Sequence, residues 1–192
     1  CKGYHISLVY FSTDYVFDGN TVRPYKEDDK PNPLSVYGLT KLLGERNVLE
    51  IHPAPLIIRT QWLYGDGGGH FISKVIRVAQ EKGCVEVVND QIGSPTYAKD
   101  LAVPLLILIQ KNASGIYHIT NAGSCSWFEF AQHIFSYLHM DIPVAPISSE
   151  KLNRKAKRPR YSVFDCSKMQ KDTNITLRHW QEALKEYCNR LQ

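Results

Sequence analysis

Apolar residues follow two rhythms along this chain. Residues 6–12 form a short, nearly unbroken run containing Ile6, Leu8, Val9, Tyr10 and Phe11. Such a run predicts a strand buried on both faces, as in a parallel sheet. Residues 56–59 repeat the pattern, and shorter extended segments are expected at 85–88, 116–120 and 143–147. Between them the spacing turns helical. Over residues 36–51, Val36, Leu39, Leu43 and Val48 define an apolar face, and Tyr37, Lys41 and Glu45 lie on another. Asn32 or Ser35 is placed to start this helix, and Pro53 and Pro55 to stop it. A helix over 70–82 should bury Phe71, Val75 and Val78. One over 97–110, with Thr96 as its N-cap, is apolar on most sides and should be buried, with a kink at Pro104. Ser126 and Glu129 form a capping-box pattern ahead of a core stripe of Trp127, Phe130, Ile134 and Leu138. A last helix over 177–191 should pack through Trp180, Leu184 and Tyr187. Residues 24–33 read as a polar, proline-containing loop running over the surface toward a substrate. Strands alternating with helices predict an α/β fold.

Candidate chemistry sits where the first strand meets the first long helix. Ser12, Thr13 and Asp14 end the strand, and Tyr37 and Lys41 are one helical turn apart on one face. A free tyrosine, with a pKa near ~10, exchanges protons poorly at neutral pH. A cation one turn away favours the phenolate. Tyr37, tuned by Lys41 and assisted by the Thr13 hydroxyl, is therefore a set of parts for passing a proton to a carbonyl oxygen. Such general acid catalysis is worth roughly 10²–10⁴-fold. No side chain supplies hydride, so a reduction calls for a nicotinamide cofactor. A Tyr-x-x-x-Lys spacing alone also arises by chance on any helix; the strand ending in Ser-Thr-Asp raises its weight. Trp62 follows the second strand, at the carboxyl end where ligands gather in open α/β sheets; packing is the alternative role.

Composition adds limits. The 192 residues suffice for one domain with a sizeable core, and 43% hydrophobic with 22% charged residues is ordinary for a globular chain. No apolar run approaches the ~20 residues of a membrane span, and the opening residues carry no signal-peptide pattern. Cysteines at 1, 84, 125, 166 and 188 form no C-x-x-C pair, which argues against a disulfide framework or a metal site and fits a cytoplasmic location. The net charge of +4 is local: Lys151, Arg154, Lys155, Lys157, Arg158 and Arg160 contribute +6, leaving the rest at −2. That is not the spread of a nucleic-acid binder. The cluster reads either as a solvated loop or as an attractor for a diphosphate.

The runs STDYVFDG (12–19), PY-x-E-x-D (24–29), NPLSVYGLTK-x-x-GE (32–45) and IIRTQWLYG (57–65) resemble the extended short-chain dehydrogenase/reductase superfamily, and within it the dTDP-4-dehydrorhamnose reductase family. The resemblance continues through QIGSPT (91–96), DLA (100–102), GIYH (115–118) and RPRYS (158–162). It implies the C-terminal portion of a Rossmann-like doubly wound parallel sheet plus a smaller α/β substrate-binding lobe. Residues 1–66 would belong to the nucleotide-binding domain, with 116–120 returning to its sheet, and 67–192 mainly to the lobe. It implies Tyr37, Lys41 and Thr13 as catalytic residues, Tyr37, Lys41 and Ser12 as contacts to NADPH or NADH, and Thr13, Asp14 and Trp62 as contacts to a nucleotide-sugar. A homodimer is compatible with it. Tyr15 stands where related dehydratases carry an acidic residue, which favours plain reduction.

One part of the family pattern is missing. The Gly-rich turn that cradles a cofactor pyrophosphate is absent, and the cluster Gly65, Gly67, Gly68 and Gly69 has the wrong spacing. An N-terminal segment carrying several βα units is therefore expected to lie outside this chain. Two other readings compete with reduction: a reductase-like binding or regulatory subunit, and a nucleotide-sugar epimerase or dehydratase.

Overall fold

The computed structural model describes residues 1–4, 6–152 and 154–192. Nine strands and six α-helices are named in chain order: β1 (Val9–Thr13), α1 (Val36–Ile51), β2 (Leu56–Thr60), β3 (Leu63–Tyr64), α2 (Phe71–Lys82), β4 (Val85–Val88), β5 (Ile92–Gly93), β6 (Thr96–Tyr97), α3 (Ala98–Gln110), β7 (Gly115–His118), β8 (Cys125–Ser126), α4 (Trp127–Tyr137), β9 (Val144–Ile147), α5 (Ser167–Thr173) and α6 (Trp180–Asn189).

The main sheet is parallel, in the order β1-β2-β7. β2, in the middle, is buried at every position. Alternation sends Leu56 and Ile58 to one face, where they pack with Leu101 and Leu108 of α3 and Met169 of α5. Arg59 goes to the other face, beneath α1. Its guanidinium makes a two-pronged bond to Glu45, Nε to Oε1 at 2.9 Å and Nη2 to Oε2 at 2.7 Å. Each residue is only 1% exposed. Breaking one half of such a pair leaves an uncompensated buried charge, at about 3–5 kcal/mol. This pair fastens the helix that carries Tyr37 to the strand that leads to Trp62.

A second core joins α2, α4 and α6 around β4, through Ile72, Val75, Phe130, Ile134, Trp180 and Leu184. β4 pairs with β9, β3 with β6, and β5 runs antiparallel to β8. The Ser126–Glu129 capping box is formed, each side chain serving the other's backbone N–H.

Five expectations change. β1 is not buried on both faces: it is an edge of the three-stranded sheet, and Phe11 is 44% exposed. The apolar face of α1 points outward, with Val36, Leu39 and Leu43 exposed and Gly38, Leu42 and Glu45 buried. Periodicity located the stripe but not which face meets the sheet, because the Glu45–Arg59 pair claims the inner side. α3 likewise exposes Val103 and Leu106; its N-cap is Tyr97, without a side-chain cap bond, and the Thr96 hydroxyl donates instead to the Ser94 carbonyl at 3.1 Å. The loop over 24–33 is pinned inward at its start. Tyr25 donates its N–H to Val163, and Glu27 accepts from the His118 N–H at 3.0 Å. His118 is fully buried; burial and the adjacent Arg59 push its imidazole down to about 3, so it is neutral. Its Nδ1 lies 3.0 Å from the Tyr25 carbonyl, a contact that places the proton there.

Candidate functional site

The parallel register of β1 and β2 sets Ser12 opposite Arg59 and Thr13 opposite Thr60, so both strands end at one level. Thr13 caps a single 3₁₀ turn, Asp14–Val16, its Oγ1 accepting from the Tyr15 N–H at 3.3 Å. α1 enters above this turn, with Ser35 accepting from the Gly38 N–H. Gly38 is required there, since a Cβ would collide with the Tyr15 carbonyl. That close approach brings Tyr37 beside Tyr15, edge to face, with ring centroids 5.7 Å apart. Ser12, Thr13, Asp14, Tyr37, Lys41 and Trp62 all line one cavity of about 630 Å³.

Three buried polar atoms of this cavity's lining residues have no hydrogen-bond partner: Ser12 Oγ, Asp14 Oδ2 and Thr60 Oγ1. An unmade bond of this kind costs about 1–3 kcal/mol. Thr13 donates to Asp14 Oδ1 at 3.0 Å. Burial pushes the Asp14 carboxyl up to about 6, against the pull of Ser162, Thr13 and Arg158. Burial and the neighbouring Asp14 push Tyr15 up to about 12. The Lys41 ammonium stands 4.7 Å from the centroid of the Tyr10 ring. The Tyr10 ring in turn fits against Gly44, where a Cβ would meet it.

Trp62 has a left-handed backbone, φ 48°, uncommon for a bulky residue and a form of strain that clusters at functional sites. Its indole stacks on Trp127, with centroids 3.5 Å apart and planes 11° from parallel. On another side it meets the backbone of Gly93, where a Cβ would strike the ring. Sequence reading placed Trp127 in the core stripe of α4. It does pack against that core, and as the first residue of the helix it also lines both this cavity and a neighbouring one of about 440 Å³. Lys74 of α2 also lines both. The second cavity takes Arg154 and Arg158 from the basic stretch. Burial and the proximity of Arg158 push the Arg154 guanidinium down. Lys151 and Arg160, by contrast, are paired with Glu86 and Glu150. Lys74 carried no signal in the chain, and its meeting with Trp127 at both cavities could not be read there, because it depends on how α2 and α4 pack.

This geometry has close parallels. A spore coat polysaccharide biosynthesis protein, SpsK, of Bacillus subtilis (strain 168) is 42% identical over 93% of this chain and 62% of its own length. A dTDP-4-dehydrorhamnose reductase of Streptomyces griseus is 45% identical over 97% of this chain and 64% of its own. The crystal structure of a dTDP-4-dehydrorhamnose reductase from Bacillus anthracis, in complex with NADP, superposes with a TM-score of 0.92 at 43% identity. That match covers 96% of this chain and 66% of that one. The chain thus spans just under two thirds of the curated relatives it matches. Its mixed α/β fold with a parallel main sheet is that of Rossmann-like reductases. The family model for the RmlD substrate binding domain matches residues 1–192, and the chain belongs to that family.

Proposed function

We propose that this chain carries the acid–base and substrate-binding part of an NADPH- or NADH-dependent reductase of a 4-keto sugar nucleotide. The substrate best matching the relatives is dTDP-4-dehydro-L-rhamnose, reduced to dTDP-L-rhamnose in the cytoplasm. The observation that carries this reading is the convergence of Thr13, Tyr37, Lys41 and Trp62 on one cavity beside a cationic one. Tyr37 is the proton donor to the carbonyl oxygen. Lys41, one turn on, supplies the positive charge that favours the developing phenolate. Arg154, Arg158 and Lys74 suit a diphosphate, and the Trp62–Trp127 pair offers flat apolar surface to a sugar or base.

The unpartnered Ser12 and Thr60 hydroxyls fit a ligand rich in hydrogen-bonding groups, as a nicotinamide nucleotide is. Ser12, Tyr37 and Lys41 would hold it, and it would supply hydride when bound. By the same reading residues 1–66 with 116–120 form part of the nucleotide-binding sheet, and 67–192 mainly the substrate lobe.

The test is Tyr37→Phe, made in a chain extended at its N-terminus to the length of the relatives. We expect kcat for NADPH oxidation, followed by absorbance with dTDP-4-dehydrorhamnose, to fall by about 100-fold or more while nucleotide-sugar affinity persists. An unchanged kcat would sink the reading. NADPH consumed one for one with substrate separates reduction from epimerisation and dehydration.

A further inference from the structure

The Thr13 hydroxyl has one proton, and the structure commits it. Oγ1 donates to Asp14 Oδ1 at 3.0 Å and accepts from the Tyr15 N–H at 3.3 Å. What remains for the cavity is a lone pair. A ketone oxygen only accepts hydrogen bonds, so Thr13 as arranged cannot assist one, whereas an alcohol can donate to it. Turning the hydroxyl toward a ketone would strip Asp14 of its partner. Asp14 is 3% exposed and its Oδ2 already lacks one. A buried carboxylate that loses the bond to its closest donor is costly.

Protonation removes the conflict. A carboxylic acid can donate to Thr13 Oγ1, reversing the bond and releasing the Thr13 proton to the cavity. We propose that Asp14 is a positioning residue that sets the direction of the Thr13 hydroxyl, so that a 4-keto ligand binds with uptake of one proton at Asp14 and the corresponding alcohol binds without it. This rests on the reductase reading above and deepens it.

The surroundings allow the change. The Ser162 hydroxyl, whose proximity pulls the Asp14 carboxyl down, has one proton, and its shortest acceptor contact is Gln61 Oε1 at 3.1 Å. Arg158 faces Asp14 from the 158–162 segment, and Tyr15 follows it in the chain. Tyr37 and Lys41 of α1 and Lys74 of α2 line the shared cavity, and Asp14 is its one carboxylate among the described residues. Burial holds the Asp14 carboxyl near 6, so the proton is available close to neutrality.

Calorimetry of dTDP-4-dehydrorhamnose and of dTDP-L-rhamnose, without reduced cofactor, from pH 5.5 to 8 and in two buffers of different ionisation heat, tests this. The ketone should take up one proton and lose affinity about tenfold per pH unit above ~6, while the alcohol does not follow. In Asp14→Asn, whose amide can donate to Thr13 at any pH, the ketone slope should vanish. In Thr13→Val the difference between the two ligands should vanish. The same pH profile for both ligands in the unaltered protein overturns the proposal, as does a ketone slope that survives in Asp14→Asn. Should Asp14→Asn not fold, carboxyl ¹³C titration of the unaltered protein decides: an Asp14 midpoint near the ordinary ~4 overturns the proposal. Binding of neither ligand would remove the reductase reading and this proposal together.

Discussion

Single residues decide the chemistry through what they are denied as much as through what they contact. Asp14 was legible as a strand-end residue beside a hydroxyl. Its burial and its unpartnered oxygen were not, since both depend on the 158–162 segment folding back over it. Its effect on stability has a definite sign. The carboxyl titrates at about 6 when folded, against an ordinary 3.8. A raised folded value means a contribution fully present below the ordinary value and lost as pH rises through the folded one. Relative to Asp14→Asn, the unaltered protein should therefore lose stability between about pH 4 and 6. At about 1.4 kcal/mol per pH unit, the total is on the order of 3 kcal/mol. Urea unfolding of both proteins at each pH measures it, and parallel curves would contradict the burial argument. Lys41 illustrates the opposite case: sequence spacing paired it with Tyr37, and the fold also seats its ammonium over Tyr10.

At the scale of elements, α1 shows how much a periodic pattern leaves open. Its limits, Val36–Ile51, were readable from local chemistry, which left Asn32 or Ser35 as the cap; the fold takes Ser35. Its orientation was not, because the apolar stripe and the Glu45 face competed for the sheet, and the ion pair to Arg59 took the inner side. Gly38 then sets how closely the helix approaches the Asp14–Val16 turn. Alanine is the better helix former by about 1 kcal/mol. Gly38→Ala should nonetheless destabilise the protein by about 1–3 kcal/mol, because a Cβ has no room against the Tyr15 carbonyl. It should also lower kcat more than Tyr15 variants that keep the helix in place, since it displaces Tyr37. Thermal melts together with turnover would show it, and a stabilised Gly38→Ala would refute the close approach.

For the whole molecule, the exposed apolar surface matters most. β1 presents an open strand edge with Phe11 uncovered, and α1 turns Val36, 78% exposed, with Leu39 and Leu43 to solvent. Open edges and contiguous apolar faces drive association. The 192-residue chain should self-associate, seen as a mass that rises with concentration in sedimentation, and Leu39→Glu with Leu43→Glu should return it to a monomer without loss of helicity. A strict monomer at all concentrations would count against this.

What the sequence determined by itself was local: where the longer strands and helices lie, though not the start of β1 at Val9 or the existence of α5, the capping box at Ser126, the strand-end hydroxyls and the Tyr37–Lys41 spacing. These follow from period and side-chain chemistry within a few residues. The tertiary structure alone decided which face of α1 is inside, that Trp127 and Lys74 join two cavities, that the start of the 24–33 loop is pinned beneath Arg59 and His118, and that Asp14 is buried with one oxygen unpaired. Each of these is a contact between segments far apart in the chain, and its energy is set by packing and desolvation that no local pattern encodes.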